Sequence, residues 1–129
     1  GIACGAPMRN VKLGADDYLM DRLKAGFQLL MFADGAVSAA QAAMVAAAKA
    51  AAVPVNTILV AAANAGALNG AADLVVDDAE GRVAAKYAAS PGAGYLIRPD
   101  GHVCARWLEA DAVRLETALA VACARKEVA

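Results

Sequence analysis

Two short blocks of this chain are predominantly apolar. "FQLLMFAD" (residues 27–34) has aromatic side chains near both ends, and "VNTILVAAA" (residues 55–63) is rich in β-branched ones. Bounded runs of this length predict strands buried on both faces. Between them lies "DGAVSAAQAAMVAAAKAAAV", with Asp34 or Ser38 as N-cap, a body of strong helix formers and Pro54 just beyond the end. It predicts a long helix. Two strands joined through such a helix run parallel, with a right-handed crossover.

The flanking pattern is weaker. "DDYLMDRLKAG" (residues 16–26) has an acidic start, Leu19 and Leu23 four apart and a stop at Gly26, which predicts a short helix. "NAGALNGAADLVVDDAEG" is punctuated by Asn, Gly and Asp and holds one short apolar run, Leu74 to Val76. "AEGRVAAKYAA" (residues 79–89) spaces Val83 and Tyr87 four apart before Ser90-Pro91-Gly92 and predicts a helix of two or three turns. In "EADAVRLETALAVACARK" (residues 109–126), Ala112, Leu115, Leu119 and Cys123 form one stripe. Acidic residues come early and Arg125 and Lys126 late, as the helix dipole favours.

"YLIRPDGHVCARW" (residues 95–107) gathers the only His, one of three Cys, two Arg and the only Trp. Pro99-Asp100-Gly101 supplies a preset φ, a locally bonding carboxylate and a residue at ease with positive φ, so a hairpin turn is predicted. Regular alternation would put Val103, Ala105 and Trp107 on one face and His102, Cys104 and Arg106 on the other. The order is then strand, helix, strand, helix, strand, strand, helix: an α/β fold with a mixed central sheet flanked by helices, the thioredoxin-type arrangement.

Composition narrows the partners. The 129 residues suffice for one core, and the 60% hydrophobic fraction is largely alanine, with only 5% aromatics. Lys49, Pro54 and Asn56 interrupt the richest apolar stretch, so no membrane span is expected. A net charge of −1 without charge blocks gives no footprint for nucleic acid. Cys4, Cys104 and Cys123 have unrelated spacings, which fits neither a disulfide framework nor a zinc site and suits a reducing cytoplasm. The opening residues lack a secretion signal and an initiating Met, and the chain is expected to be cut from a longer one. Residues 1–14, rich in Gly and Pro, read as an entry linker and 15–129 as the domain.

The candidate chemistry is thin. Cys104 and His102, two apart on a strand, would be same-face neighbours about 7 Å apart, long for the hydrogen bond that activates a thiolate. Ser38 with His102 and an Asp has the composition of a triad but no nucleophile-elbow pattern. GxGxxG and GxxxxGK[ST] are absent, so FAD and NAD(P)H are not expected to bind unaided. The pairs Asp16/Asp17 and Asp77/Asp78 read as solvated turns or helix starts. No residue is assigned to catalysis, to a cofactor or to a metal.

"GRVAAKYAASPGAGYLIRPDGHVCARW", followed by "AVRLETALAVA", resembles the carboxy-terminal domain of FAD-dependent aromatic-ring monooxygenases, in particular 3-(3-hydroxyphenyl)propionate hydroxylase and the phenol hydroxylases. "GAPMRNVKL" and "YLMDRLKAGFQLLMF" are similar to the opening of that domain, so the likeness spans nearly the whole chain. The resemblance implies a thioredoxin-like fold and a non-catalytic role in packing or subunit association. It places FAD, NAD(P)H and the phenol on upstream domains of the same chain, which are the implied partners, alongside a homodimer. The alternative is a free-standing thiol protein of the thioredoxin or peroxiredoxin superfamily, using Cys104 or Cys4. In thioredoxins the redox CxxC follows the first core strand, where this chain has Ala36-Val37-Ser38-Ala39. The position of their cis-proline maps near Ala93, with Pro91 two residues earlier.

Overall fold

The computed structural model describes residues 1–128, with side chains through residue 124. Phe27–Ala33 (β3), Val55–Ala61 (β4), Leu74–Asp77 (β5), Gly94–Ile97 (β6) and Val103–Trp107 (β7) form a sheet in the order β5-β4-β3-β6-β7. Lys12–Gly14 (β1) and Asp17–Tyr18 (β2) make a separate antiparallel pair. The helices are Ala39–Ala50 (α1), Arg82–Tyr87 (α2) and Ala112–Val128 (α3).

Every residue of β3 is buried, because β3 is the central strand and both of its faces are covered. It runs parallel to β4, as the long helical crossover requires, and antiparallel to β6. Phe27, Leu29, Met31 and Ala33 face a layer built by α1 and α3, where Met44, Val45, Ala48, Leu115 and Leu119 meet Leu59, Leu96 and Trp107. Leu30 and Phe32 point the other way. There Ile58, Val60, Val76, Tyr95 and Ile97 of the sheet are covered by Val83 and Tyr87 of α2 and by Ile2, Met8, Val11 and Leu19.

Three sequence expectations change. Residues 1–14 are part of the packed body rather than a loose entry linker: Ile2, Met8 and Val11 are buried, and this segment lies along the edge of β7. Residues 16–26 do not form the expected helix. Tertiary pairing overrides local propensity there, since Leu19 is fully buried, its N–H donates to Val11 O (2.9 Å), and only a four-residue 3₁₀ turn remains, Leu19–Arg22. Finally, the apolar run at Leu74 is a strand, β5, extending the sheet in parallel beside β4. Asp73 anchors its start by accepting from Thr57 N (2.9 Å) and Thr57 Oγ1 (3.1 Å). The side chains of Arg125 and Lys126, expected to favour the end of α3, lie outside the described residues.

Candidate functional site at the helix start and the hairpin

The loop from β3 into α1 carries Ala36, Val37, Ser38 and Ala39 where a thioredoxin dithiol would stand. Ser38 is used as the helix cap: its Oγ accepts from Gln41 N (3.0 Å), and Gln41 Oε1 accepts in return from Ser38 N (3.1 Å). Gln41 is itself buried and its amide donates to Phe32 O (2.8 Å), which ties the helix start to the strand before it. Ser38 thus serves the backbone, and no hydrogen bond joins it to His102. Across the strand end, Phe32 N donates to Ala93 O (3.0 Å) and Gly92 N to Phe32 O (2.8 Å). Ala93 is thus bonded to Phe32 near the end of β3, and among the described residues every peptide bond is trans.

The hairpin turn forms as expected. Gly101 N donates to Arg98 O (2.9 Å) and Arg98 N to His102 O (2.8 Å), with Gly101 at φ 86°, where a side chain would be strained. Asp100 accepts from Arg98 Nε (3.1 Å) and Nη2 (2.9 Å) and from His102 N (3.1 Å). Chiefly through the bonds from Arg98, its carboxyl is drawn down to about 2. His102 Nδ1 is 3.4 Å from Asp100 Oδ1, at ion-pair distance but poorly aligned, and it makes no hydrogen bond.

The expected alternation along β7 is broken. Ile97 pairs with Val103 while Leu96 pairs with Ala105, which leaves Cys104 as the extra residue of a β-bulge. A bulge reverses the side-chain parity beyond it. Val103 therefore lies with the α2-side core, whereas Ala105 and Trp107 lie with the α1/α3-side core. The three polar residues part company. Cys104 packs against the α1/α3-side core, Arg106 Nη1 reaches Ile2 O (3.1 Å), and His102 stands at the turn opposite Pro7. Burial pushes the Cys104 thiol up to about 11, even though Arg98 pulls it the other way. A thiol protonated at neutral pH, without a hydrogen bond to the imidazole, does not make a Cys/His dyad.

The four carboxylates of the adjacent pairs also diverge. Asp16 turns the chain at φ 57°, and Asp17 pairs with Arg22. Asp77 caps Ala79, while Asp78 is buried, not solvated, and holds the start of α2 through Val83 N (2.9 Å) and Ala84 N (3.0 Å). Sequence reading also missed the tyrosines. Tyr87 donates to Arg9 O (2.6 Å) and accepts from Arg9 N (3.1 Å), and Tyr95 donates to Tyr87 O (2.6 Å), so both phenols serve the backbone. The only signal was Tyr87's place on the buried stripe of α2.

Several concavities remain, one of about 460 Å³ bounded by Leu13, Arg22, Asn69 and Asp77. A cleft of about 360 Å³ is bounded by Lys12, Asp77, Asp78, Glu80 and Arg82, charges of both signs. A groove of about 330 Å³ between α1 and α3 is floored by Ala47, Ala51, Leu119 and Cys123, with Glu116 at its rim. A pyrophosphate would meet only a carboxylate in that groove, so its donor set does not fit FAD. Among the described residues no group of His, Cys, Asp and Glu could hold a metal ion, and no helix is long and apolar enough to cross a membrane.

No family model and no curated protein matches this chain. Among solved structures it is similar to aklavinone-11 hydroxylase, determined with FAD and aklavinone, at 30% identity and a TM-score of 0.56 over 90% of this chain. It spans only 20% of that hydroxylase's length. It is also similar to a thiol:disulfide interchange protein from Bacteroides sp., with TM-score 0.62 and 14% identity over 90% of this chain and 88% of that one. A third likeness is to the thioredoxin domain of a thiol-disulfide oxidoreductase from Bacteroides vulgatus, with TM-score 0.62 and 14% identity over 91% and 98% of the two chains. At that identity the last two speak to architecture alone, and they agree with the strand order above: the fold is thioredoxin-like.

Proposed function

We propose that this chain is an accessory, non-catalytic thioredoxin-like domain of an FAD- and NAD(P)H-dependent aromatic hydroxylase, acting on a phenolic substrate such as 3-(3-hydroxyphenyl)propionate in the cytoplasm. The observation that carries the reading is the 30% identity to aklavinone-11 hydroxylase across nine-tenths of this chain. The helix start supports it. Where a dithiol would do redox work, the chain has Ala36 and Ala39, and the intervening Ser38 is spent on a capping box. On this reading the flavin, the nicotinamide and the phenol are held by the remainder of the hydroxylase, and this domain packs against that body or against a second subunit. No step of hydroxylation is assigned to its residues.

A second reading, a thiol-disulfide oxidoreductase, draws on the likeness to the two Bacteroides proteins. The protonated Cys104 weighs against it. One set of assays separates the two. On the first reading the purified chain has no flavin absorbance after incubation with FAD, oxidises no NAD(P)H with phenols, and reduces no insulin disulfides with dithiothreitol. Stoichiometric FAD binding would overturn the assignment. Insulin reduction lost on Cys104→Ser would transfer it to the thiol enzymes.

A further inference from the structure

The N-terminal segment meets the outer edge of β7 in a register that can be followed residue by residue. Met8 N donates to Gly101 O (2.8 Å) and Val103 N to Ala6 O (2.9 Å), which frames Pro7 and His102 as a non-hydrogen-bonded antiparallel pair. One step on, Gly5 N donates to Val103 O (2.7 Å), so Gly5 and Ala6 together stand opposite Val103. Two residues against one is a bulge, and Gly5 occupies it at φ 87°. Cys4 and Gly5 form the corner of a turn closed by Ala6 N donating to Ala3 O (3.1 Å), and the Gly5–Val103 bond brings Cys4 beside Cys104. That bond joins the residue after Cys4 to the residue before Cys104, so the two Cα atoms lie within about 8 Å of each other. Disulfides take Cα separations of about 4.4–6.8 Å, a range inside that bound. Cys4 also lies close enough to act electrostatically on the Cys104 thiol. Both thiols are free, Cys4 is exposed and Cys104 is half-buried.

We infer that Cys4 and Cys104 form a reversible cross-strand redox pair, closed to a disulfide by a low-molecular-weight disulfide such as oxidised glutathione. The exposed Cys4, as its thiolate, attacks one glutathione sulfur, the small S–S bond breaks, and one glutathione thiolate leaves. Cys104 then loses its proton to solvent and attacks the Cys4 sulfur, expelling the second glutathione thiolate. Two protein thiols give up two electrons and two protons, and one glutathione disulfide becomes two thiols. Burial of Cys104 makes the second step the slow one. The bond staples the N-terminal segment to the sheet edge. A reducing compartment keeps it open, and a rise in oxidised glutathione closes it.

The test is peptide mapping by mass spectrometry of the full 129-residue chain carrying Cys123→Ser, treated with oxidised glutathione and alkylated after unfolding. Cys4 should first carry glutathione. The adduct should then give way to a Cys4–Cys104 linked peptide about 2 Da lighter than the two free peptides, reversed by dithiothreitol. Cys104→Ala should stop at the Cys4 adduct, and Cys4→Ser should give neither product. Amide exchange at residues 5–8 should slow in the oxidised form. The inference fails if glutathione stays on Cys4 while Cys104 remains open to alkylation, or if the linked peptides join Cys4 to Cys4 of a second molecule. Both outcomes are read on a chain with Cys4 and Cys104 intact, so they stand even where Cys104→Ala does not fold.

Discussion

Asp78 and Tyr87 hold the two ends of α2, a helix of six residues that would not persist by propensity alone. Asp78 satisfies two donors of the first turn from a site 5% exposed. Asp78→Ala leaves those donors buried with nothing to bond, and should cost about 1–3 kcal/mol, read as a lower urea midpoint with unchanged slope. Tyr87 is sensitive to pH instead. Burial raises its phenol to about 12 from an ordinary value of 10.0, the bond to Arg9 opposing only in part. The unfolded chain then ionises first as pH rises. The stability tied to this group is complete below about pH 10 and is lost as pH climbs through about 12, in total about 3 kcal/mol. Urea unfolding across that range should show the loss, and Tyr87→Phe should flatten it. Cys104, raised to about 11, adds a loss of the same sign at lower pH, so the comparison belongs in a Cys104→Ser background.

At the scale of elements, the legible parts of the sequence were those in which local pattern and tertiary environment agree. β3, α1 and β4 are unbroken blocks with a serine cap and a proline stop, and they fold where the blocks lie. The turn at residues 98–102 was legible because Pro99, Asp100 and Gly101 each fit one required backbone shape. β5 was not, because four residues at a sheet edge borrow their order from β4 and leave no period to detect. Residues 16–26 misled for a related reason: Leu19 and Leu23 both pack against the α2-side core, but from a 3₁₀ turn and the extended residue after it rather than from one helix face. The candidate site suffered most from the bulge at Cys104. One inserted residue turned an orderly polar face into three side chains with separate partners, and nothing in "HVCARW" announces it. Where pattern and packing agree, single changes should act locally. Ser38→Ala breaks the capping box of α1 and is expected to cost about 1 kcal/mol, with faster amide exchange confined to the first turn of that helix.

For the molecule as a whole, the least conspicuous segment closes the fold. Residues 1–8 cover one end of the α2-side core with Ile2 and Met8, and they pair with Gly101 and Val103 at the start of the outer edge of β7, where N–H and C=O groups would otherwise be unpaired. They also supply the partner of the Arg106 guanidinium, and Ile2 N donates to the Tyr95 hydroxyl (3.3 Å). Burial of two large apolar side chains contributes about 3–6 kcal/mol, a sizeable part of the stability of a domain this size. Removal of residues 1–8 should therefore lower the thermal midpoint by about 10 °C or more. It should also bring concentration-dependent association, because β7 becomes an open edge. Ile2→Ala removes one apolar contact but keeps the edge covered, so it should lower the midpoint by a smaller amount and leave the chain monodisperse by light scattering. A truncated chain as stable and as monodisperse as the full one would return the segment to the role of a passive linker. Association of the truncated chain alone would assign it two jobs: completing the core, and shielding the strand that carries Cys104.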